Sequence, residues 1–144
     1  MDGYFESYRG QVLNSEVDLI GHMNIQFYGA CVSQAMQSMF QRLGFPADKI
    51  KIEQKGFAAV DQKSRFCGEL LAGDIMHMQS AVADFSAKSI TIHHQLFNSA
   101  TGKLSYETLI TALHFDMKAR KVIPFSPDAT KQLEQLKLPH EVSL

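Results

Sequence analysis

The chain has 144 residues, of which 45% are hydrophobic, and its 14 basic and 15 acidic residues give a formal net charge of −1. This size and apolar content predict one domain spanning residues 1–144, and the near-neutral balance without a basic run gives no support for nucleic-acid binding. The first fifteen residues lack the apolar segment of a signal peptide and no stretch approaches the ~20 apolar residues that span a bilayer, so we expect a cytoplasmic protein with no membrane partner.

The first predicted elements are a short strand at residues 8–13 and a long helix within the stretch from Val17 to Gly44. Asn24 is a favourable N-cap for this helix, and the stretch ends in a glycine, a typical helix stop. The helix is uncharged on its polar face until Arg42, so we expect the sheet or a neighbouring subunit to surround it. Its apolar residues recur at i, i+3 and i+4, as in a helix with a wide buried face; they are Phe27, Tyr28, Cys31, Val32, Ala35, Met36, Met39, Phe40 and Leu43.

The second half of the chain is predicted to be mostly strand. A charged connection at residues 46–54 follows the helix, and a final helix should begin after Ser126, with Pro127 in its first turn, and run to about Lys137. Period-two patterns and hairpin-length connectors indicate antiparallel strands; they cover residues 56–66, 75–85, 89–98 and 104–116, with a short one at 121–125. One long helix beside such a sheet predicts an α+β fold in which the sheet curls around a central helix.

Several motifs fall in a familiar order along the chain. They are Asp18-Leu19-Ile20-Gly21-His22-Met23-Asn24 with Tyr28 four residues on, Leu70-Leu71-Ala72-Gly73-Asp74 before a strand, and Leu96-Phe97-Asn98 with Thr101-Gly102-Lys103 at a hairpin. The order and content of these motifs resemble hotdog-fold acyl-CoA thioesterases of the 4-hydroxybenzoyl-CoA thioesterase type.

The resemblance implies a hotdog fold, an antiparallel sheet wrapped around one long helix. It also implies hydrolysis of an acyl-CoA substrate without a metal or an organic cofactor. Protomers of this family usually pair edge to edge, with active sites in the interface, so a homodimer or homotetramer is expected.

Thioester hydrolysis needs a group that attacks or activates water, and donors for the charge that develops on the carbonyl oxygen. By the resemblance, Asp18 is the catalytic nucleophile or general base. The N-terminal amides of the helix, at Phe27 and preferably Tyr28, would form the oxyanion hole. Taken without the resemblance, Asp18 is more typical of a turn carboxylate before a helix.

Further residues are candidates for binding substrate. Gly21, His22, Met23, Asn24 and Phe27 shape the loop and helix start, although His22 is more typical of a packing residue and Asn24 of a cap. Tyr28, Gln34 and Met36 are candidates for the acyl pocket, although such residues at helical spacing are usually core. Ser64 and Arg65 are candidates for binding the nucleotide end of CoA. The cations Lys88, Lys103, Arg120 and Lys121 are further candidates, because the CoA phosphates attract cations, although each is more typical of a solvated charge.

Two residue pairs argue against a metal site and against a disulfide. His93 and His94 are adjacent in a strand, so they point to opposite faces and cannot chelate one metal ion. Cys31 and Cys67 are expected to be buried, reduced thiols.

Two rival functions remain open. A non-catalytic acyl-CoA-binding hotdog protein would keep the pocket but not need Asp18. A hydratase of enoyl-CoA type carries an Asp and a His five residues apart, whereas Asp18 and His22 are four apart. The sequence does not define the acyl group.

Overall fold

The computed structural model of the chain describes residues 3–144, in which three α-helices accompany a six-stranded antiparallel sheet. The helices are α1 (Ile25–Arg42), α2 (Ala47–Glu53) and α3 (Pro127–Leu136), with one turn of 3₁₀ helix at Asn14–Glu16. The strands are β1 (Phe5–Gln11), β2 (Lys55–Phe66), β3 (Ile75–Phe85), β4 (Ser89–Asn98), β5 (Leu104–Asp116) and β6 (Lys121–Val122). Their order in the sheet is β1-β3-β4-β5-β2, with β6 beside β5.

The long helix α1 begins and ends where its flanking residues favour it. The side chain of Asn24 accepts a hydrogen bond from the Gln26 N–H at 3.1 Å, which satisfies one of the free amides of the first turn. Gly44 follows the helix with φ of +92°, a left-handed conformation that glycine adopts without strain. Both ends therefore lie where the sequence predicts them.

One face of α1 supplies the centre of the hydrophobic core. The helix packs mainly on β1 and β3. Its buried residues are Tyr28, Cys31, Val32, Ala35, Met36, Met39 and Phe40, and the strand residues that meet them include Met76, Met78, Val82, Ile90, Ile92 and Leu96. The strands alternate between this inner face and the outer face of the sheet, which explains the period-two pattern of the sequence.

The predicted strands at 56–66, 75–85, 89–98 and 104–116 and the final helix are confirmed, while four other predictions need correction. The short strand predicted at 121–125 covers only Lys121–Val122. The charged connection at 46–54 contains α2, a short helix that ends at Gln54 in a left-handed conformation with φ of 59°. Half-buried Ile50 of α2 packs beside Gly56, so tertiary contact stabilises a helix too short to form alone. The first strand begins earlier than predicted, at Phe5, and Cys67 is exposed just beyond β2.

Cys31 is buried, as predicted, and burial raises the pKa of its thiol. Within residues 3–144, no helix is long and apolar enough to cross a bilayer.

Candidate functional site

Asp18 lies in a tight turn that comes before α1. Its backbone carbonyl accepts from the Gly21 N–H at 3.0 Å, and its N–H donates to the His22 carbonyl at 2.9 Å. The carboxylate oxygen Oδ1 accepts from the N–H groups of Ile20 at 3.0 Å and of His22 at 3.3 Å. No group within residues 3–144 donates a hydrogen bond to the other oxygen, Oδ2. One oxygen is therefore fixed by the backbone and the other is available to a ligand.

The Asp18 turn is held against the segment between β2 and β3. The Met23 N–H donates to the Leu70 carbonyl at 2.7 Å, and both of these side chains are buried. The Nε2 atom of His22 lies 3.2 Å from Oε2 of Glu69. This pairing gives His22 a positioning role, in agreement with the packing interpretation of the sequence.

A small cavity of about 220 Å³ opens beside Asp18. Its walls come from the Asp18 turn, the first turn of α1 and the end of β2; they are Asp18, His22, Met23, Ile25, Tyr28, Phe66, Gly68 and Glu69. Sequence reasoning missed Ile25, Phe66, Gly68 and Glu69. Glu69 directly precedes the Leu-Leu-Ala-Gly-Asp motif, but only the folded loop shows that its carboxylate faces His22.

The backbone N–H groups in the first turn of α1 differ in whether they already donate a hydrogen bond. The Gln26 N–H is taken by the Asn24 side chain, and the Phe27 N–H donates to the Asn24 carbonyl at 3.0 Å. In the usual i to i−4 pattern the Asn24 carbonyl would accept from the Tyr28 N–H. Here it accepts from the Phe27 N–H, one residue earlier in the chain. Of the two predicted oxyanion donors, Phe27 is committed to the helix cap and Tyr28 is the better candidate.

The other predicted loop residues shape the site without lining the cavity. Gly21 has φ of +85°, which the turn requires and which favours glycine. Asn24 caps the helix and donates its own N–H to the Glu16 carbonyl at 2.8 Å. The side chain of Phe27 packs against the hydrophobic core.

The Tyr28 ring forms the inner wall of the cavity. Its centroid lies 5.2 Å from that of Phe66 and 4.9 Å from that of Tyr106, and the side chain is buried. Burial, followed by the neighbouring Cys31 and Tyr106, raises the pKa of the phenol, so it stays neutral at physiological pH. The Tyr28 side chain is thus a wall of the cavity.

A second cavity of about 450 Å³ lies between α1 and β2, and we call it the α1–β2 cleft. Successive turns of one α1 face and alternate residues of β2 and β5 line it; they are Gly29, Val32, Ser33, Met36, Gln37, Phe40, Phe57, Ala59, Gln62, Ile110 and Ala112. On α1, Ile25 and Tyr28 line the cavity and Gly29 begins the cleft. Of the predicted acyl-pocket residues, Met36 lines the cleft and Gln34 does not.

Ser64 and Arg65 lie on opposite faces of β2. Ser64 pairs with Thr108 on the inner face, whereas Arg65 pairs with Glu107 on the outer face. The two residues therefore do not act on one ligand group together. Ser64 belongs to the side that faces α1.

The other candidate cations are divided between the two ends of the sheet. Lys103 lies in the β4–β5 turn, at the end where Phe66 pairs with Tyr106 near the Asp18 cavity. Lys88, Arg120 and Lys121 lie beside the other end of β5, ten residues or roughly 34 Å further along the strand. These three are poorly placed to bind phosphates of a molecule that reacts at Asp18. Within residues 3–144, no three His, Cys, Asp or Glu side chains cluster as metal ligands would.

Comparison with known proteins places this site in a family. A model described as the thioesterase-like superfamily matches residues 12–133, while no curated protein sequence matches the chain. A hypothetical protein from Staphylococcus aureus, solved in complex with CoA, has a TM-score of 0.83 and 14% identity, over 95% of this chain and 93% of that one. A 1,4-dihydroxy-2-naphthoyl-CoA thioesterase from Synechocystis has a TM-score of 0.78 and 15% identity, over 94% and 99%. A gentisyl-coenzyme A thioesterase has a TM-score of 0.76 and 20% identity, over 85% and 98%. The predicted hotdog fold and family resemblance are confirmed.

Proposed function

Because the chain belongs to the thioesterase-like superfamily, we propose that it is an acyl-CoA thioesterase in which Asp18 acts on the thioester carbonyl. The observation that carries this proposal is the Asp18 carboxylate, which is held through Oδ1 and open at Oδ2, beside a cavity at the N-terminus of an 18-residue helix. A turn carboxylate with a purely structural role needs no cavity beside its second oxygen.

The proposed chemistry uses two parts of this site, the Asp18 carboxylate and the N-terminus of α1. Either Oδ2 of Asp18 attacks the carbonyl carbon and forms an acyl anhydride, which water then cleaves, or Asp18 takes the proton of an attacking water. The Tyr28 N–H and the positive end of the α1 dipole stabilise the carbonyl oxygen as it gains charge. The C–S bond breaks, CoA leaves as the thiolate and is protonated, and the acid is released.

Turnover of acyl-CoA thioesters by the full chain tests this function. We expect free thiol and free acid to appear in equal amounts from at least one member of a panel of short, medium-chain and aromatic acyl-CoAs. The structural likeness to a protein solved with CoA supports the choice of CoA thioesters as probes.

Each rival function gives a different result with the same panel. Tight binding of acyl-CoA without release of thiol would favour a non-catalytic binding protein. Addition of water to an enoyl-CoA, with the thioester intact, would favour a hydratase. Either result would overturn the proposed hydrolysis.

We also propose that two copies pair through the β2 edge. Strand β2 has twelve residues, and β5 is its only partner strand within residues 3–144, so its other edge has open N–H and C=O groups. Large apolar side chains are exposed along this edge and around the Asp18 cavity; they are Leu19, Ile20, Ile25, Val60, Phe66 and Leu71. A second copy would cover this surface and complete the walls of the site.

Substitution of Val60 by Lys tests this pairing. Val60 is 56% exposed and lies at an irregularity of the β2–β5 pairing, so a lysine there should leave the fold of one copy intact. We expect sedimentation to give twice the chain mass for the wild type and a shift toward the single-chain mass for Val60→Lys. The matched control is Ile52→Lys, at an 80% exposed position on α2. A wild-type chain that sediments as a monomer at micromolar concentration contradicts the pairing.

A further inference from the structure

Four polar side chains form a hydrogen-bonded cluster on the inner face of the sheet, and we call it the β2–β5 polar cluster. It consists of Gln62 and Ser64 from β2 with Tyr106 and Thr108 from β5. The Ser64 hydroxyl lies 3.0 Å from the Tyr106 hydroxyl and 2.9 Å from the Thr108 hydroxyl. The Gln62 Nε2 atom donates to Thr108 at 3.2 Å and approaches the other two hydroxyls at 3.4 to 3.5 Å. These hydrogen bonds hold the four side chains in fixed positions relative to one another.

The cluster stands between the Asp18 cavity and the apolar end of the cleft. Phe66 lines the cavity and Gln62 lines the α1–β2 cleft, and Ser64 lies between them on the same face of β2. Two residues of a strand span about 7 Å, so Ser64 is one such step from Phe66. The Tyr106 ring connects the two regions, since it packs on both Tyr28 and Phe66.

Beyond the cluster the sheet side of the cleft is apolar, with Phe57, Ala59, Ile110 and Ala112. The α1 side is mixed, because Ser33 and Gln37 line it together with Val32, Met36 and Phe40. A molecule that extends from Asp18 toward this cleft therefore meets the polar cluster first and an apolar sheet wall further on. Space for it is present at Gly29, where an added Cβ would contact nothing within 4 Å.

The direction of the hydrogen bonds indicates what the cluster can bind. Thr108 donates its proton to the Lys63 carbonyl at 3.0 Å, so its oxygen is left to accept from its neighbours. The amide nitrogen of Gln62 faces the cluster, and within residues 3–144 nothing donates to its oxygen, Oε1. Ser64 and Gln62 are both exposed in the chain, whereas Thr108 and Tyr106 are buried behind them. Because Thr108 gives its proton to Lys63, the Ser64 hydroxyl donates to Thr108, and the atom of the cluster left without a donor within residues 3–144 is the amide oxygen of Gln62. An amide oxygen accepts from a neutral hydroxyl and repels a carboxylate.

We infer that the β2–β5 polar cluster selects acyl groups that carry a hydroxyl between the thioester and an apolar tail. Gln62, which lines the cleft, is the specificity-determining residue, and Ser64, Thr108 and Tyr106 are positioning residues that hold its amide group. This inference rests on the proposed function, because it takes the reacting carbonyl to lie at Asp18. A site built to pair with a hydroxyl discriminates strongly against the analogue that lacks it, since its own polar groups are then left unpaired.

The test compares octanoyl-CoA with its 3-hydroxy and 5-hydroxy derivatives, which share one chain length. We expect wild-type kcat/KM for at least one hydroxy derivative to exceed that for octanoyl-CoA by about tenfold or more. Ser64→Ala and Gln62→Leu should each reduce this ratio several-fold while octanoyl-CoA is still hydrolysed. Thr108→Val should also lower the ratio, with the loss mainly in KM, because it removes an orienting group. The matched control is Ser38→Ala, an exposed position on α1 outside the cleft, which should leave the ratio unchanged.

The outcomes separate this inference from the proposed function. Hydrolysis of all three thioesters at similar rates would overturn the role of the cluster and leave the thioesterase proposal standing. If nothing is hydrolysed, calorimetry with the corresponding non-hydrolysable thioethers measures the same preference; a preference that Ser64→Ala removes would support the cluster without the activity. A preference that both Ser64→Ala and Gln62→Leu retain, or variants that change only the oligomeric state, would overturn the assignment.

Discussion

Asp18→Asn is expected to lower kcat for the best acyl-CoA substrate by a factor of about 10²–10⁴, the range typical of a lost acid–base group. An asparagine has the shape of the aspartate, and its side-chain oxygen can still accept from the N–H groups of Ile20 and His22. The turn should therefore persist, and the variant should keep its melting temperature and its affinity for acyl-CoA. Only the negative charge and the basicity of Oδ2 are removed. Steady-state release of thiol measures the effect.

Glu69→Gln is the matched control, because it changes a second carboxylate that lines the same cavity. Glu69 contacts the exposed side of His22 at 3.2 Å and is itself 66% exposed, so we expect less than a tenfold change in kcat. Two results would contradict the role given to Asp18. One is an Asp18→Asn variant with more than a tenth of wild-type kcat. The other is a loss in Glu69→Gln equal to that in Asp18→Asn, which would transfer the catalytic role to Glu69.

The helix and the long strands are predictable from the sequence because their burial follows a single local period. Every buried residue of α1 falls within the apolar stripe that the sequence shows, and the caps at Asn24 and Gly44 are short-range features. The strands β3, β4 and β5 each alternate between one inner and one outer face. In these elements, local preference and tertiary contact favour the same structure.

The features that escaped prediction depend on contacts between residues distant in the chain. Helix α2 has only seven residues, and it is held by the packing of Ile50 beside Gly56 rather than by its own propensity. Cysteine is counted among the hydrophobic residues, yet Cys67 lies just past the edge strand β2 and is exposed. The sequence shows neither which strand is at an edge nor where such a strand leaves the core.

The residues of the candidate site also fall into two groups, those within one contiguous motif and those that depend on contacts between distant parts of the chain. Asp18 and Tyr28 could be proposed from the sequence because the motif that contains them is contiguous. Glu69 and the polar cluster were not proposed because their partners come from other elements, as with the Ser64–Thr108 contact, which joins residues 44 positions apart. Adjacency in sequence also suggested a shared role for Ser64 and Arg65, whereas neighbouring strand residues face opposite sides.

The other large predicted effect concerns His94, a completely buried histidine on the inner face of β4. Its Nδ1 atom lies 2.5 Å from the Ser80 hydroxyl, and its Nε2 atom lies 3.1 Å from the sulfur of Met36. The Ser80 hydroxyl is in turn 2.6 Å from that of Ser7. Burial, with a smaller contribution from the charge of His93, lowers the pKa of His94 from 6.5 to about 3. The imidazole is therefore neutral in the folded chain throughout the physiological range.

The sign of the resulting pH dependence follows from proton binding in the two states. Between pH 6.5 and about 3, the unfolded chain binds a proton at His94 and the folded chain does not, so stability falls as pH falls. The slope approaches 1.4 kcal/mol per pH unit below about pH 6, or roughly 2 kcal/mol between pH 6.5 and pH 5. Above about pH 7.5, one unit beyond the ordinary pKa of 6.5, the histidine is almost entirely neutral in both states, and this dependence vanishes. His114, whose pKa burial also lowers, contributes in the same direction.

Urea unfolding at pH 7, 6 and 5 isolates the contribution of His94 when the wild type is compared with His94→Gln. A glutamine keeps a polar partner for Ser80 but does not titrate, so the variant should be less stable at pH 7 and should lose about 1 to 2 kcal/mol less between pH 7 and pH 5. The control is His140→Gln, at an exposed position near the C-terminus, which should keep the wild-type slope. Equal slopes in the wild type and His94→Gln would show that the imidazole is charged or hydrated in the folded chain, and would contradict the buried, neutral histidine on which this prediction depends.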